Sequence, residues 1–452
     1  MADDDARLDT IFKAYDIRGT VPDQLDAELA RRIGAAFAAF AASPQILLAR
    51  DMRPSGTELT EAFADGVTGQ GVDVVDLGMA STDLVYFAAG KLDSPGAMFT
   101  ASHNPARYNG IKLCLAGAKP VGEDSGLREI KDAVRNGEPA TPTPARGTVT
   151  RRDVLDDYAA HVHTFVDTAA LKPLKVVADT ANGMGGLVVP KVFERLPLDL
   201  EILYGELDGT FPNHPADPIQ PENLKDLQRR VLDTQADIGL AFDGDADRVF
   251  LVDEKAQPVS GSTTTAMVAK GMLAKHPGSA VIYNLICSKA VPEVIEESGG
   301  TPTRSRVGHS FIKALMAETD AVFGGEHSGH YYFRDNYRAD SGLIAALVVL
   351  ELLSTSNATL SELRAPFERY AGSGEINTTV ADQQATIERV ASHYAATEAT
   401  QDRLDGLTVD FGDWWFNLRP SNTEPLLRLN LEARTPAECD AHVAEVLDLV
   451  RN

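Results

Sequence analysis

The sequence predicts three similar α/β domains followed by a smaller α+β C-terminal domain. Three observations carry this reading. Apolar, strand-like runs alternate with helical periods from residue 25 to residue 354, the pattern of strands and helices layered on a sheet. That alternation is broken at 137–150 by GEPATPTPARGTVT, and it starts for a third time after residue 255; stretches rich in Pro, Thr and Gly punctuate domains. Beyond residue 368 one helical stretch leads into consecutive strands and a closing helix, which is an α+β order. The expected domains are 1–145, 146–253, 254–368 and 369–452, each of ordinary domain size.

Element by element, LDAELARRIGAAFAAFAA (25–42) has helical spacing, QILLARD (45–51) is a strand, and TELTEAFADGVTGQG (57–71) is a helix stopped by glycine. DVVDLG (73–78), AMFTA (97–101) and GIKLCL (110–115) read as strands, and 82–92 and 125–137 as helices. The second domain repeats the alternation: helix 153–166, strand LKVVADT (174–180), helix 187–196, strand LEILYG (200–205), helix 222–236 and strand DIGLAF (237–242). The third follows with helix 262–276, strand AVIYNL (280–285), helices 289–299 and 310–320, strand AVFGG (321–325) and an apolar helix over 342–354. In the fourth, a helix near 384–399 precedes strands LTVDFG, WWFNLRP and LLRLNLEA and the final helix from Ala437.

Composition narrows the function. Apolar residues make up 44% of the 452, enough to build cores, and the formal net charge of −24 argues against nucleic acid or an acidic membrane as the main partner. A local basic cleft for a small anion stays open. Three scattered cysteines (Cys114, Cys287, Cys439) imply neither a disulfide framework nor zinc. The acidic start, MADDDARLDT, is unlike a signal peptide, and LIAALVVLELL (343–353) is too short to span a bilayer. A reducing cytoplasm is the expected location.

Four loops could carry chemistry. FDGDADRVFLVDE (242–254) crowds Asp243, Asp245 and Asp247 between two strands. Three carboxylates that close repel one another, and a hard divalent cation makes the crowding tolerable. An EF-hand fits poorly, because its glycine is misplaced. Mg²⁺ sites commonly include a phosphate oxygen, which draws attention to TASHNPARYNG (100–110), where Ser102 and His103 follow a buried strand. A phosphoryl group on Ser102 could complete such a shell. GGEHSGH (324–330) offers Glu326 and Ser328 to vicinal sugar hydroxyls, and VGHS sets His309 at a helix start, where it could move a proton. RPSNTEPLLRLNLEA (419–433) gathers Arg419, Ser421, Asn422, Thr423 and Arg428, donors suited to a phosphate. Tyr15 and Arg18 in AYDIRGT are less specific, and GMGG (183–186) reads as a turn, since it lacks the lysine and spacing of a P-loop.

Together and in this order, TASHNP, DGDADR, GEHSGH and RPSNTEP resemble the α-D-phosphohexomutase superfamily, and within it the bacterial and archaeal phosphomannomutase/phosphoglucomutase group; the likeness runs from Tyr15 to Arg428. The resemblance implies four domains around a central cleft. It implies that Ser102 carries the phosphoryl group, and that Asp243, Asp245 and Asp247 hold Mg²⁺ with a phosphoserine oxygen. Glu326 and Ser328 would bind sugar hydroxyls. Arg419, Ser421, Asn422 and Thr423 would hold the phosphate that is not reacting. Tyr15, Arg18, His103, Lys112, Arg248 and His309 match positions that line the reaction centre, with His309 as the expected base and Arg18 and Lys112 stabilising phosphoryl charge. The expected reaction interconverts mannose 1-phosphate and mannose 6-phosphate, with glucose phosphates also accepted and a hexose 1,6-bisphosphate as activator.

One departure concerns NLICSKA (284–290): many relatives place a lysine where Ile286 stands, and the nearest lysine is Lys289. A phosphoglucosamine mutase is the alternative within the family. A metal-dependent sugar-phosphate phosphatase, or a binder without turnover, is the alternative outside it.

Overall fold

The computed structural model describes residues 2–139, 143, 145–421 and 426–451. The first domain is built on strands Ile17–Thr20 (β1), Gln45–Arg50 (β2), Asp73–Met79 (β3), Gly96–Phe99 (β4), Tyr108–Leu115 (β5), Lys119–Pro120 (β6) and Val149–Arg151 (β7). They form one sheet in the order β1-β5-β4-β2-β3-β7, with β6 beside β5. The β3–β2–β4 pairings are parallel, and β5 turns back antiparallel on β4. The second sheet takes Lys175–Asp179 (β8), Asp199–Leu203 (β9), Ile238–Phe242 (β10), Val249–Asp253 (β11) and Pro258–Val259 (β12), ordered β12-β11-β10-β8-β9. In the third domain Ala280–Asn284 (β13) lies parallel between Thr301–Ser305 (β14) and Phe323–Gly325 (β15), and Tyr331–Phe333 (β16) follows. The last domain has Ala371–Thr379 (β17), Thr400–Asp402 (β18), Leu407–Asp410 (β19), Trp415–Pro420 (β20) and Leu426–Ala433 (β21), antiparallel in the order β17-β21-β20-β19-β18.

The expected class, three α/β domains and a smaller α+β one, is what the chain builds. Most of the expected apolar runs fill cores, while DVVDLG and LEILYG are largely half-buried. Phe37, Phe63 and Phe99 sit in the first, Leu227, Val231 and Val252 in the second, and Phe416, Leu429 and Val446 in the last. Several elements went unread in the sequence, among them the helix Ala2–Ile11 and the strands β1, β14, β16 and β18; two further differences have plain local reasons. The end of the supposed linker is β7, because Thr148 anchors it by donating from N and Oγ1 to Asp73 Oδ1 at 2.7 and 2.8 Å. And β17, AGSGEINTT, is a nine-residue strand that its small polar residues concealed.

The apolar helix Gly342–Thr355 is buried along most of its length. Among the described residues no single helix is long and apolar enough to cross a membrane. The contacts divide the chain into two compact units, Met1–Ser260 with Ser328–Leu363, and Gly261–His327 with Arg364–Asn452.

Candidate active site

In the first unit, β4 and β10 each run out into a loop at the carboxyl end of a sheet, where open α/β sheets bind ligands. The two loops meet. Ser102 Oγ donates to Asp243 Oδ2 at 2.8 Å and lies 3.2 Å from His103 Nδ1. The approach is close enough to require a glycine: a Cβ on Gly244 would stand 2.4 Å from the Ser102 carbonyl oxygen. Ser102 itself has φ of +49°, an uncommon backbone state for a residue with a side chain. It is held there by Thr100 Oγ1, which accepts from Ser102 N at 2.9 Å, and by Arg53.

Arg53 went unnoticed in the sequence. It is 1% exposed and spends every guanidinium N–H. Nε donates to Asp51 Oδ2 (3.1 Å), Nη1 to the carbonyls of Pro105 (2.9 Å) and Tyr108 (3.0 Å), and Nη2 to those of Ser102 (2.8 Å) and Asn104 (2.6 Å). The loop that carries Ser102 is thus wrapped around one buried cation. Arg18 also holds this loop, Nη1 donating to Asn104 Oδ1 at 2.6 Å. Tyr15 lies half-buried just ahead of β1.

The three aspartates are buried, and one oxygen from each lies within 4.8 Å of the others. Burial raises the pKa of Asp243 and Asp247, and the Asp245 charge adds to the rise at Asp247. Burial would raise Asp245 too, but the Lys112 ammonium, the Thr82 hydroxyl and the Arg248 guanidinium together outweigh it and Asp245 is lowered. Lys112 Nζ donates to Asp245 Oδ2 and Asp247 Oδ2, 2.7 Å each. Thr82 Oγ1 donates to Asp245 Oδ2 at 2.6 Å, and Thr82 N to the Asp245 carbonyl at 3.1 Å. What is left over is telling: Asp245 Oδ1 and Asp247 Oδ1 are buried with no hydrogen-bond partner. Unpaired buried carboxylate oxygens are costly unless a cation takes them, so the triad fits a hard divalent metal. The GMGG turn buttresses this loop, Met184 N donating to the Gly244 carbonyl at 2.8 Å.

Arg248 links the two loops. Its Nε donates to Asp243 Oδ2 at 2.9 Å and its Nη2 reaches Ser102 Oγ at 3.4 Å and His103 Nδ1 at 2.5 Å. Burial, Arg248 and Arg18 push the His103 pKa down to about 2, so its imidazole is neutral. His330, which the sequence reading left without a role, stands 3.7 Å from Asp247 Oδ1 through Nε2 and 3.1 Å from Ser328 Oγ through Nδ1. Behind the triad Asp83 is fully buried and accepts from Ser81, Tyr158 and Ser341 hydroxyls. Ser81 and Ser341 each also cap a helix, accepting from Leu84 N and Ile344 N.

In the second unit, Glu326 is 2% exposed. Its Oε1 accepts from Asn284 Nδ2 and from Gly308 N, both at 3.2 Å, which joins it to the turn that opens the helix His309–Thr319. Arg419 and Arg428 face each other across β20 and β21, and both meet Glu375 of β17: Arg419 Nη2 to Oε2 at 2.8 Å, Arg428 Nη1 to Oε1 at 3.4 Å. Ser421 is buried and its N–H donates to the Leu426 carbonyl at 2.9 Å; Asn422 and Thr423 lie outside the described residues. Lys289 is engaged elsewhere. Its Nζ donates to Asp410 Oδ1 (2.8 Å) and the Gly412 carbonyl (2.7 Å), and its N–H to Glu432 Oε2 (2.9 Å), which ties the third domain to the fourth.

Comparison with known proteins agrees with this architecture. The four domain signatures of phosphoglucomutase/phosphomannomutase match in order: alpha/beta/alpha domain I over 9–141, II over 156–257, III over 260–370, and the C-terminal domain over 375–449. A phosphomannomutase of Salmonella montevideo is 40% identical over 452 residues, covering 98% of this chain and 99% of its own. An enzyme named phosphohexose mutases from Xanthomonas campestris pv. campestris is 41% identical over 443 residues, with 97% and 99% covered. The crystal structure of a phosphoglucomutase/phosphomannomutase family protein from Burkholderia thailandensis superposes with a TM-score of 0.88 at 32% identity, covering 98% of each chain. With all four signatures in sequence and relatives alike from end to end, the chain belongs to the phosphoglucomutase/phosphomannomutase family.

Proposed function

We propose that this chain is a phosphomannomutase. It interconverts mannose 1-phosphate and mannose 6-phosphate through a phosphorylated Ser102 and a hexose 1,6-bisphosphate, and it also accepts glucose phosphates. The observation that carries this is Ser102 Oγ, 2.8 Å from Asp243 within a buried acidic triad and flanked by Arg248. A hydroxyl has no need of so much charge unless it carries charge itself.

In the first half-reaction the Ser102 Oγ–P bond breaks and a hydroxyl oxygen of the hexose monophosphate bonds to phosphorus. The hydroxyl proton passes to a base, for which we assign His309. In the second half-reaction the other phosphate of the bisphosphate is transferred back to Ser102 and the proton is returned. Arg18, Lys112 and Arg248 offset the charge on the phosphoryl oxygens, with neutral His103 accepting from Arg248. Asp243, Asp245 and Asp247 hold Mg²⁺, which when bound withdraws charge from the transferring group. Glu326 and Ser328 bind sugar hydroxyls; Arg419, Ser421, Asn422, Thr423 and Arg428 hold the idle phosphate, and Tyr15 lines the substrate. Domain limits of 1–145, 146–253, 254–368 and 369–452, and a cytoplasmic location, belong to the same proposal.

The test is a substrate panel with Mg²⁺ and a trace of hexose 1,6-bisphosphate. Mannose, glucose and glucosamine 1-phosphates are supplied in turn, 6-phosphate product and free phosphate are followed together, and Ser102→Ala is the control. Mannose 1-phosphate should be converted at least as fast as the others, and not by the control. A preference for glucosamine 1-phosphate makes the chain a phosphoglucosamine mutase. Free phosphate without isomer makes it a phosphatase.

A further inference from the structure

Two arginines directly opposite each other on neighbouring strands repel, and the last domain contains such a pair. Arg419 and Arg428 are register partners on β20 and β21, and Asn377 of β17 is the next partner in the row. Glu375 stands two residues from Asn377 on the same strand, and so on the same face. From this diagonal position its carboxylate reaches both guanidinium groups, 2.8 Å to Arg419 and 3.4 Å to Arg428. The two Nε–H groups are buried with no hydrogen-bond partner. The arginine pair therefore has more donor capacity than the one carboxylate uses, and Glu375 is itself about one-third exposed, which gives its side chain room to move.

We infer that Glu375 is a resident counter-ion of the phosphate site, a carboxylate that occupies the arginines when no substrate phosphate is bound and yields them when one arrives. This rests on the reading of Arg419 and Arg428 as phosphate ligands. A phosphate dianion carries more charge and more acceptor oxygens than a carboxylate, so it wins the exchange, but by a reduced margin. The reduction serves the reaction. The idle phosphate must let go in every cycle so that the bisphosphate can present its other end, and a carboxylate ready to re-pair with the arginines makes that release easier. Glu375 thus sets how tightly the site holds phosphate, while Arg419 and Arg428 set that it holds phosphate at all.

The experiment is a calorimetric titration of mannose 6-phosphate into the full-length chain, into Glu375→Gln and into Arg419→Gln. All three carry Ser102→Ala to prevent turnover. Steady-state kinetics of the same variants with Ser102 intact accompany it. Glu375→Gln should bind about three- to tenfold more tightly, the worth of one or two half-exposed ion pairs. Its KM should fall by a similar factor with no gain in kcat, and Arg419→Gln should bind more weakly. Equal or weaker binding by Glu375→Gln, with weaker binding by Arg419→Gln, overturns the counter-ion role and leaves the phosphate site standing. Unchanged binding by Arg419→Gln removes the phosphate site and the inference with it. Should Glu375→Gln fold poorly, inorganic phosphate decides: its melting temperature should recover toward that of the parent as phosphate is added, and failure to recover refutes the inference. Glu375→Asp, which keeps the charge on a shorter arm, should show a smaller gain in affinity, and no gain counts against the role.

Discussion

Replacing Arg53 by lysine keeps the charge and removes the geometry. Lysine offers three donors where the guanidinium offers five, and Arg53 uses all of its own, four on carbonyls of the Ser102 loop and one on Asp51. At least two of those acceptors lose their partner. Hydrogen bonds to charged groups are worth about 1.5–3 kcal/mol each, and there is no solvent at this site to substitute, since Arg53 and Asp51 are both 0% exposed in their side chains. The expected loss is about 3–6 kcal/mol, comparable to breaking a buried ion pair. With about 2–4 °C of melting temperature per kcal/mol for a cooperative unit of 150–250 residues, Arg53→Lys should melt roughly 10 °C lower. The loop should also lose its shape, so amide exchange at residues 102–108 should speed up more than in the rest of the first sheet. Calorimetry and mass-spectrometric hydrogen exchange measure both. A variant that melts within about 2 °C of the parent, with unchanged exchange in that loop, would refute the claim that Arg53 holds it.

Three further outcomes are expected. Thr82→Val removes the hydroxyl that pins Asp245 Oδ2; such outer hydrogen bonds to ligands are commonly worth about 10–100-fold in metal affinity, so Mn²⁺ binding followed by paramagnetic resonance should weaken by that factor, and Thr82→Ser should restore it. Asp83, fully buried, has its pKa raised to about 6 in the folded chain from an ordinary 3.8. The folded state thus holds this proton more tightly, and the stability so gained is present below the unfolded pKa and disappears as pH rises through about 6. Denaturant titrations of Asp83→Asn should lack that slope and gain roughly 2 kcal/mol on the parent between pH 4 and 6.5; parallel curves would show Asp83 to be ionised throughout. Lys289→Ala breaks an ion pair that is 26% and 37% exposed at its two ends, so stability should change by under about 1 kcal/mol and kcat should stay within about threefold; a collapse of kcat would put Lys289 in the chemistry.

What the sequence determined by itself was local. Buried strands declare themselves through runs such as QILLAR and IGLAF, because a strand covered on both faces needs apolar residues throughout. The acidic loop is equally plain, since Asp243, Asp245 and Asp247 lie within five residues and their repulsion needs no fold to be noticed. Ser102 drew attention because a metal on those aspartates calls for a phosphate oxygen, and its expected role came from the four loop motifs taken together. The tertiary structure alone decided how these pieces are held. Arg53 acts on carbonyls about fifty residues away, Thr82 and Lys112 on aspartates more than a hundred away, and no period or spacing in the chain encodes such partners. Strand β17 escaped notice because its burial alternates between half-buried and exposed, so it has no apolar stripe, and with it went Glu375. Hydrophobic pattern is written along the chain because burial acts on each residue separately; hydrogen bonds and ion pairs need two residues at one place, and only the folded sheets bring them there.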